Sequence, residues 1–347
     1  MHRLWVAALV CTLVLTGCGH TLSEGQKALD QGSPEKALAI WEAMAKEGNP
    51  KAALKAAEIY RTKSSEHGKG DNANKARHLY RKAAEAGIAE AQFKLAKMLY
   101  WGEGGGQDLD KAETWLRKAA DNGNQSAQRY IADPGTQYQL GLEAHPKYGA
   151  APGESHLKTS RYWFYKASEN GHKQSALFNA AFQALRGEDG STFSMNKLGG
   201  KLFEGGEGFP KKPSLANWWF RQAADRGNPA AMHNLALAHA QGTGAEKDED
   251  KALNLYRQAA EQGYPVAQNK LGVMYDDGKM VPQDHEKAVR WYRKAADQGY
   301  PNAQKNLGLA YYLGEGAPQN FSKAFKWTKQ AAKQGMAQAQ HNLGDMY

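Results

Sequence analysis

A short phrase ending in glycine recurs eight times along the 347 residues, and its spacing leaves few folds open. It reads EAMAKEG to Gly48, RKAAEAG to Gly87, RKAADNG to Gly123, YKASENG to Gly171, RQAADRG to Gly227, RQAAEQG to Gly263, RKAADQG to Gly299 and KQAAKQG to Gly335. The intervals are 39, 36, 48, 56, 36, 36 and 36 residues. A period of this size belongs to stacked helical hairpins, each able to bury its apolar side only against the next. Two ordinary globular domains, the arrangement that length alone suggests, do not fit this pattern.

The phrases carry their own physical logic. Each terminal glycine is placed to end a helix in the left-handed conformation that glycine adopts cheaply. Asn49-Pro50 and Asn228-Pro229 then supply a cap and a first-turn proline for the next helix, and Pro265 and Pro301 hold the equivalent places. A second phrase lies between the glycines: AQFKLAKML to Leu99, TQYQLGLEA to Ala144, AQNKLGVMY to Tyr275, AQKNLGLAY to Tyr311 and AQHNLGDMY to Tyr347. On a helix, Ala267, Leu271, Gly272 and Tyr275 share one face. In the following helix Ala288, Trp291, Tyr292, Ala295 and Ala296 mix large and small surfaces suited to interdigitation. A glycine inside a helix, as at Gly272 or Gly308, costs about 1 kcal/mol against alanine and predicts a close approach of backbones.

Together the two phrases resemble those of Sel-one-like repeats, a subclass of the tetratricopeptide superfamily, from about Leu22 to the end of the chain. The resemblance implies an all-α, right-handed superhelical solenoid of helix-turn-helix repeats over residues 22–347, with about eight helical pairs. The two long intervals predict an enlarged, irregular region at about 124–196. Asn124 to Asp133 and Lys173 to Arg186 read as extra helical pieces, and Tyr148 to Ser155 as a Gly- and Pro-containing loop that is a second candidate contact surface. Residues 336–347 read as a terminal half-repeat.

The first residues read as an address. Arg3 precedes an apolar run from Leu4 to Leu15, of signal-peptide length and too short to span a bilayer. The run ends in Leu15-Thr16-Gly17-Cys18, which resembles the bacterial lipobox. That resemblance implies removal of residues 1–17, lipidation of Cys18 and a short lipid-anchored linker at 18–21. Gly19, in place of Asp, implies the periplasmic side of the outer membrane. Cys11 would leave with the signal, so the two cysteines of the chain form no disulfide framework.

Charge and motif content narrow the chemistry. The chain carries 45 Lys and Arg against 36 Asp and Glu, a net +9. Many bases fall in the last turns of second helices and many acids at their starts, as the helix dipole favours. No phosphate-tracking stripe is readable, so no nucleic-acid partner is expected. Ser-x-x-Lys at Ser33, Ser155 and Ser194 has no Lys-Thr-Gly companion. The glycine runs at 102–106 and 205–208 lack the Lys-Ser or Lys-Thr of a phosphate loop. The histidines are scattered rather than paired at ligand spacing. No catalytic residue, metal site or cofactor is expected, and the chain is expected to act by binding a protein.

By the resemblance, the first helices of the repeats line a concave side. The residues expected there are Phe93, Lys97, Tyr100, Tyr138, Leu142, Phe203, His233, Leu237, Asn269, Val273, Asp276, Lys305, Leu309 and Tyr312. Proteins combining a lipobox with such repeats resemble periplasmic immunity proteins that neutralise secreted lipase effectors of type VI systems, and also lipoprotein scaffolds of exopolysaccharide export. The partner is accordingly a secreted effector or an envelope-complex component. An enzyme acting on cell-wall material is a third reading, one in which a polar residue such as His233 would be needed for turnover.

The anchor is directly testable. Cys18→Ser should move the protein from the membrane fraction to the soluble periplasmic fraction on cell fractionation; continued membrane association without acylation would sink the anchor argument.

Overall fold

The computed structural model describes residues 20–64, 70–144, 154–187, 191–344 and 346. Cys18 and most of the Tyr148 to Ser155 loop lie outside the described residues. The described residues are almost wholly helical, with nineteen α-helices and no strand beyond an isolated bridge between Gly206 and Phe209. They fall into two compact units, one up to residue 172 and one from residue 173 on.

The first unit contains α1 (Leu22–Asp30), α2 (Pro34–Lys46), α3 (Pro50–Thr62), α4 (Asp71–Glu85), α5 (Ala89–Trp101), α6 (Leu109–Asp121), α7 (Gln125–Ala132), α8 (Pro134–Ala144) and α9 (Glu154–Glu169). The second contains α10 (Ser175–Leu185), α11 (Phe193–Glu204), α12 (Pro213–Ala224), α13 (Pro229–Gln241), α14 (Glu249–Glu261), α15 (Pro265–Asp277), α16 (His285–Asp297), α17 (Pro301–Leu313), α18 (Phe321–Lys333) and α19 (Ala337–Gly344). Within each unit, consecutive helices pack against each other, least so α7 and α8, which only Asp133 separates. The extra pieces expected from the long intervals are α7 and α10.

Local chemistry sets the helix ends. All eight phrase glycines have positive φ, between 82° and 93°. After each, the next residue's N–H returns to a carbonyl five positions back, as from Tyr264 to Ala259 and from Tyr300 to Ala295, both 3.1 Å. This is the six-to-one closure of a helix end. Asn49 and Asn228 cap the following helices as expected. Second helices open on Asp108, Asp248, Asp284 and Asn320, whose side chains accept from the N–H three residues on at 2.8–2.9 Å.

Packing within a pair follows from small residues on one helix and rings on the other. A Cβ at Gly272 would lie 2.5 Å from the Tyr292 ring, and one at Gly199 2.5 Å from Phe220. Alanines dominate the buried positions, so helix backbones approach closely and large rings such as Trp41, Tyr80, Trp219 and Tyr256 fill the gaps between them. Glutamines stitch one pair to the next. Gln92, Gln268, Gln304 and Gln340 each donate to the carbonyl eight residues back, on the preceding second helix, at 3.0–3.3 Å. Three of them also accept from the following pair: Gln92 from Asn122, Gln268 from Gln298 and Gln304 from Gln334, at 2.8–2.9 Å.

The turn inside each pair is pressed onto the previous pair. Gly316 has φ +67°, and a Cβ there would sit 2.0 Å from the carbonyl oxygen of His285. Gly299 has φ +85° with open space around it. Both lose a favoured conformation on substitution by alanine, but only Gly316 also loses a backbone contact. Gly299→Ala should cost about 1 kcal/mol and Gly316→Ala at least about 2 kcal/mol, read from denaturation midpoints followed by circular dichroism. Equal losses would show that the close approach at Gly316 contributes nothing.

Candidate functional site

The expected concave residues separate sharply by unit. In the first unit, Phe93, Tyr100, Tyr138 and Leu142 are buried, which corrects their assignment to an open binding face. The reason is the extra helix. Tyr130 of α7 meets the Phe93 ring edge-on at 5.1 Å, and Trp163 of α9 lies 4.9 Å from Tyr100 and 5.7 Å from Tyr130. Tyr138 is enclosed by Phe164 at 5.6 Å and stacked on His172 at 4.2 Å. The side of α5 that a regular stack would leave open is thus filled. Lys97 is half-buried, its ammonium 5.9 Å from the Phe93 ring. Burial, with Arg61 and Lys94 nearby, pulls its pKa down.

The same stretch is held by polar contacts. Thr159 of α9 donates to the Tyr100 carbonyl at 2.7 Å, and Gln107 donates to that carbonyl at 2.7 Å. Tyr162 donates to Glu113 at 2.7 Å, and burial pushes its hydroxyl pKa upward. Glu113 also takes Arg117 at 2.6 Å and Lys166 at 3.5 Å. These contacts tie α9 back to α5 and α6, so Trp163 and Phe164 are core while Tyr165 stays exposed.

In the second unit the expected residues stay accessible and line up. His233, Asn269 and Lys305 stand 36 residues apart on α13, α15 and α17; so do Leu237, Val273 and Leu309, and then Asp276 and Tyr312 on the last two helices. His233, Leu237, Asn269, Val273, Asp276 and Lys305 are half-buried, while Leu309 and Tyr312 are 44% and 41% exposed. Phe203 on α11 is half-buried, 6.2 Å from Phe220. Amides cross-link the row, and of them only Asn269 was among the expected residues: Asn234 donates to Asn196 at 2.9 Å and Asn306 to Asn269 at 3.1 Å. Asn306 lies within the repeating second phrase, which is the signal that could have found it.

Charges in the row are partly committed. Asp276 accepts from His285 at 2.7 Å and from Tyr292 at 3.2 Å, and its carboxylate pushes the tyrosine pKa up further than burial alone. His233 packs 5.3 Å from Tyr256 and 5.8 Å from Tyr264, with its Nδ1 unpaired. Burial, then the nearby Lys270, pushes its pKa down to about 4. Among the described residues no group of three or more His, Cys, Asp or Glu is placed to hold a metal ion, and no helix is long and apolar enough to cross a membrane. A cavity of about 490 Å³ beside α16 is walled by Arg290, Arg293 and Lys294, with Glu286 and Asp297 among them. Its three bases face two acids, and Arg290 pairs with Glu286 at 3.3 Å.

His233 makes the row sensitive to acid. Its folded pKa lies below the 6.5 of an unperturbed imidazole, so the unfolded chain takes up the proton first as pH falls. Its contribution is complete above pH 6.5 and is lost towards about pH 4. His233→Gln should flatten this acid-side loss, on the order of 2 kcal/mol, in denaturant midpoints measured across that range. An unchanged slope would mean that His233 is protonated in the folded protein.

Comparison with known proteins places this architecture. The Sel1 repeat model matches residues 63–88, 89–124, 136–172, 192–228, 229–264, 265–300, 301–336 and 337–347. A Sel1-repeat-containing protein of Escherichia coli, YjcO, is 28% identical over 187 residues, half of this chain and 79% of its own length. An exopolysaccharide production negative regulator of Rhizobium meliloti is 49% identical over 55 residues, covering 16% of this chain and only 20% of that protein. Among solved structures, a protective antigen of uropathogenic Escherichia coli with an SLR fold is 28% identical, covers 89% of this chain and 67% of its own, and has a TM-score of 0.43. With matches along most of its length, the chain belongs to the Sel1 repeat family, whose tetratricopeptide-like repeats mediate protein–protein interactions.

Proposed function

We propose that this chain is a non-enzymatic, lipid-anchored binding protein on the periplasmic side of the outer membrane, and that its partner is a secreted effector of the type VI lipase class, which it neutralises. The carrying observation is the row on α13, α15 and α17. Three apolar side chains, Leu237, Val273 and Leu309, repeat at the 36-residue period beside His233, Asn269 and Lys305 and remain open to water. Apolar anchors set among single polar groups are the composition of a protein-binding surface. Neutralisation by occlusion needs only binding energy, in keeping with a row that has no nucleophile paired to a base.

Val273→Glu combined with Leu309→Glu should abolish co-purification with a phospholipase-like effector encoded beside this gene, while helicity is kept. Deletion should leave cells susceptible to that effector. Full protection by the double variant would remove the row as the binding face, and indifference of the deletion strain to the effector would end the immunity reading. A second reading is a scaffold in exopolysaccharide export; the relative named as an exopolysaccharide production negative regulator, matched over 16% of this chain, shares with it only the link to exopolysaccharide. That reading expects altered polymer secretion on deletion instead.

A further inference from the structure

Two adjacent positions in the middle of the first helices of the second unit carry a polar pattern that an apolar row does not need. Two residues before its buried leucine, as His233 stands before Leu235, each of α11, α13, α15 and α17 has Asn196, His233, Asn269 or Lys305. The residue after it is Lys197, Asn234, Lys270 or Asn306. Every one of these helices therefore sets one asparagine beside one base.

Neighbouring first helices meet at these positions on a diagonal. The second residue of one helix reaches the first residue of the helix before it, as Asn234 does in donating to Asn196 at 2.9 Å and Asn306 in donating to Asn269 at 3.1 Å. Between those two amide pairs the same diagonal sets Lys270 beside His233, and no bond closes it. The enclosed Nδ1 of His233 has no partner, no hydrogen bond among the described residues reaches the ring, and the one charge acting on it is the Lys270 ammonium. Lys270 is half-buried and, like Lys305 on the next first helix, enters no ion pair among the described residues. Imidazole N–H and ammonium are both donors, and neither has an acceptor within the chain. A partly desolvated ammonium is costly to leave unpaired, and a carboxylate answers its charge as well as its hydrogen bonds.

The flanking amides indicate what carries that carboxylate. Each Asn–Asn bond uses one donor and one acceptor, which leaves N–H and C=O capacity at both pairs. A phosphate group offers chiefly acceptors, whereas a peptide main chain offers N–H and C=O in alternation. Successive diagonals are one helix spacing apart, about 10 Å, a distance covered by about three residues of extended chain.

We propose that the row across α11, α13, α15 and α17 binds an extended acidic segment of its protein partner, with one Asp or Glu carboxylate seated on His233 and Lys270 and the main chain on either side paired to the two asparagine pairs. This inference rests on the reading of the row as a protein-binding face and adds the chemistry of what enters it. Leu237, Val273 and Leu309 stand four residues on from His233, Asn269 and Lys305, one turn along the same helices, where they serve apolar residues flanking the acid.

The test titrates the full chain with the capped peptide acetyl-Ser-Leu-Ser-Glu-Ser-Leu-Ser-amide and with its central Gln counterpart. The readout is the ring-proton NMR signals of His233, assigned by their loss in His233→Gln. The Glu peptide should shift them saturably, at a half-saturating concentration at least about tenfold below that of the Gln peptide, the ratio that a hydrogen bond to a charged group supplies. Lys270→Gln should bring the two peptides together, while Lys251→Gln, which removes an exposed charge on α14, should leave their ratio as it is. Equal binding of the two peptides, a ratio that survives Lys270→Gln, or the absence of a saturable shift would overturn the proposal. So would an equal shift from inorganic phosphate, which would assign the diagonal to a phosphate group. Failure here is separable from failure of the effector reading. If the Glu peptide fails while Val273→Glu with Leu309→Glu still abolishes co-purification of the effector, the row binds protein without a seated carboxylate and only this proposal falls. If the Glu peptide binds while the deletion strain is indifferent to the effector, the acid-binding diagonal stands and its partner is another protein.

Discussion

The carbonyls left open at the end of every second helix are the constraint on which the stack depends. A helix leaves its last carbonyls without internal partners, and here those ends are covered by the next pair rather than by water. A buried glutamine meets the requirement because its amide donates and accepts at once. Gln268 gives its N–H to Ala260 behind it and its carbonyl oxygen to Gln298 ahead of it. Gln304 repeats this with Ala296 and Gln334. Each repeat thereby completes its predecessor and is completed by its successor, which is why no single pair is a folding unit. Where Met232 stands in place of the glutamine, Gln262 meets its sulfur at 3.5 Å, a weaker contact at the same station.

This interlock explains what was legible in the sequence. The AQ phrase and the Gln-Gly or Asn-Gly phrase are two halves of one hydrogen-bonded junction, so their shared 36-residue period encodes the fold directly. Helix ends at the phrase glycines, caps at Asn49 and Asn228, and the extra helices α7 and α10 could be read for the same reason. Exposure in the first unit could not. Judging Phe93, Tyr100 and Tyr138 open assumed an uninterrupted stack, whereas α7 brings Tyr130 over Phe93 and α9 brings Trp163 over Tyr100. Periodicity states which residues face away from the packed side; it does not state what an inserted helix then lays against them. In the second unit, where α13 to α18 keep the strict period, no inserted helix intervenes and Leu309 and Tyr312 are exposed.

The helix dipole accounts for much of the positive charge, and α18 shows where that account stops. In α16, Asp284 and Glu286 stand at the start and Lys294 in the last turn, each at the end that its sign favours. In α18, Lys333 has that advantage, but Lys323 does not. It sits in the first turn, beside an uncharged Asn320 cap and with no acid to offset the exposed N–H groups. A cation there is mildly unfavourable to the helix by the same rule that rewards one at the other end. Lys323, Lys326 and Lys329 gain ring contacts with Tyr311, Trp327 and Phe325, at 5.2, 5.7 and 5.3 Å, each worth about 0.5–1 kcal/mol at an exposed site. The dipole therefore accounts for Lys333 but not for Lys323, which stands over the Tyr311 ring instead.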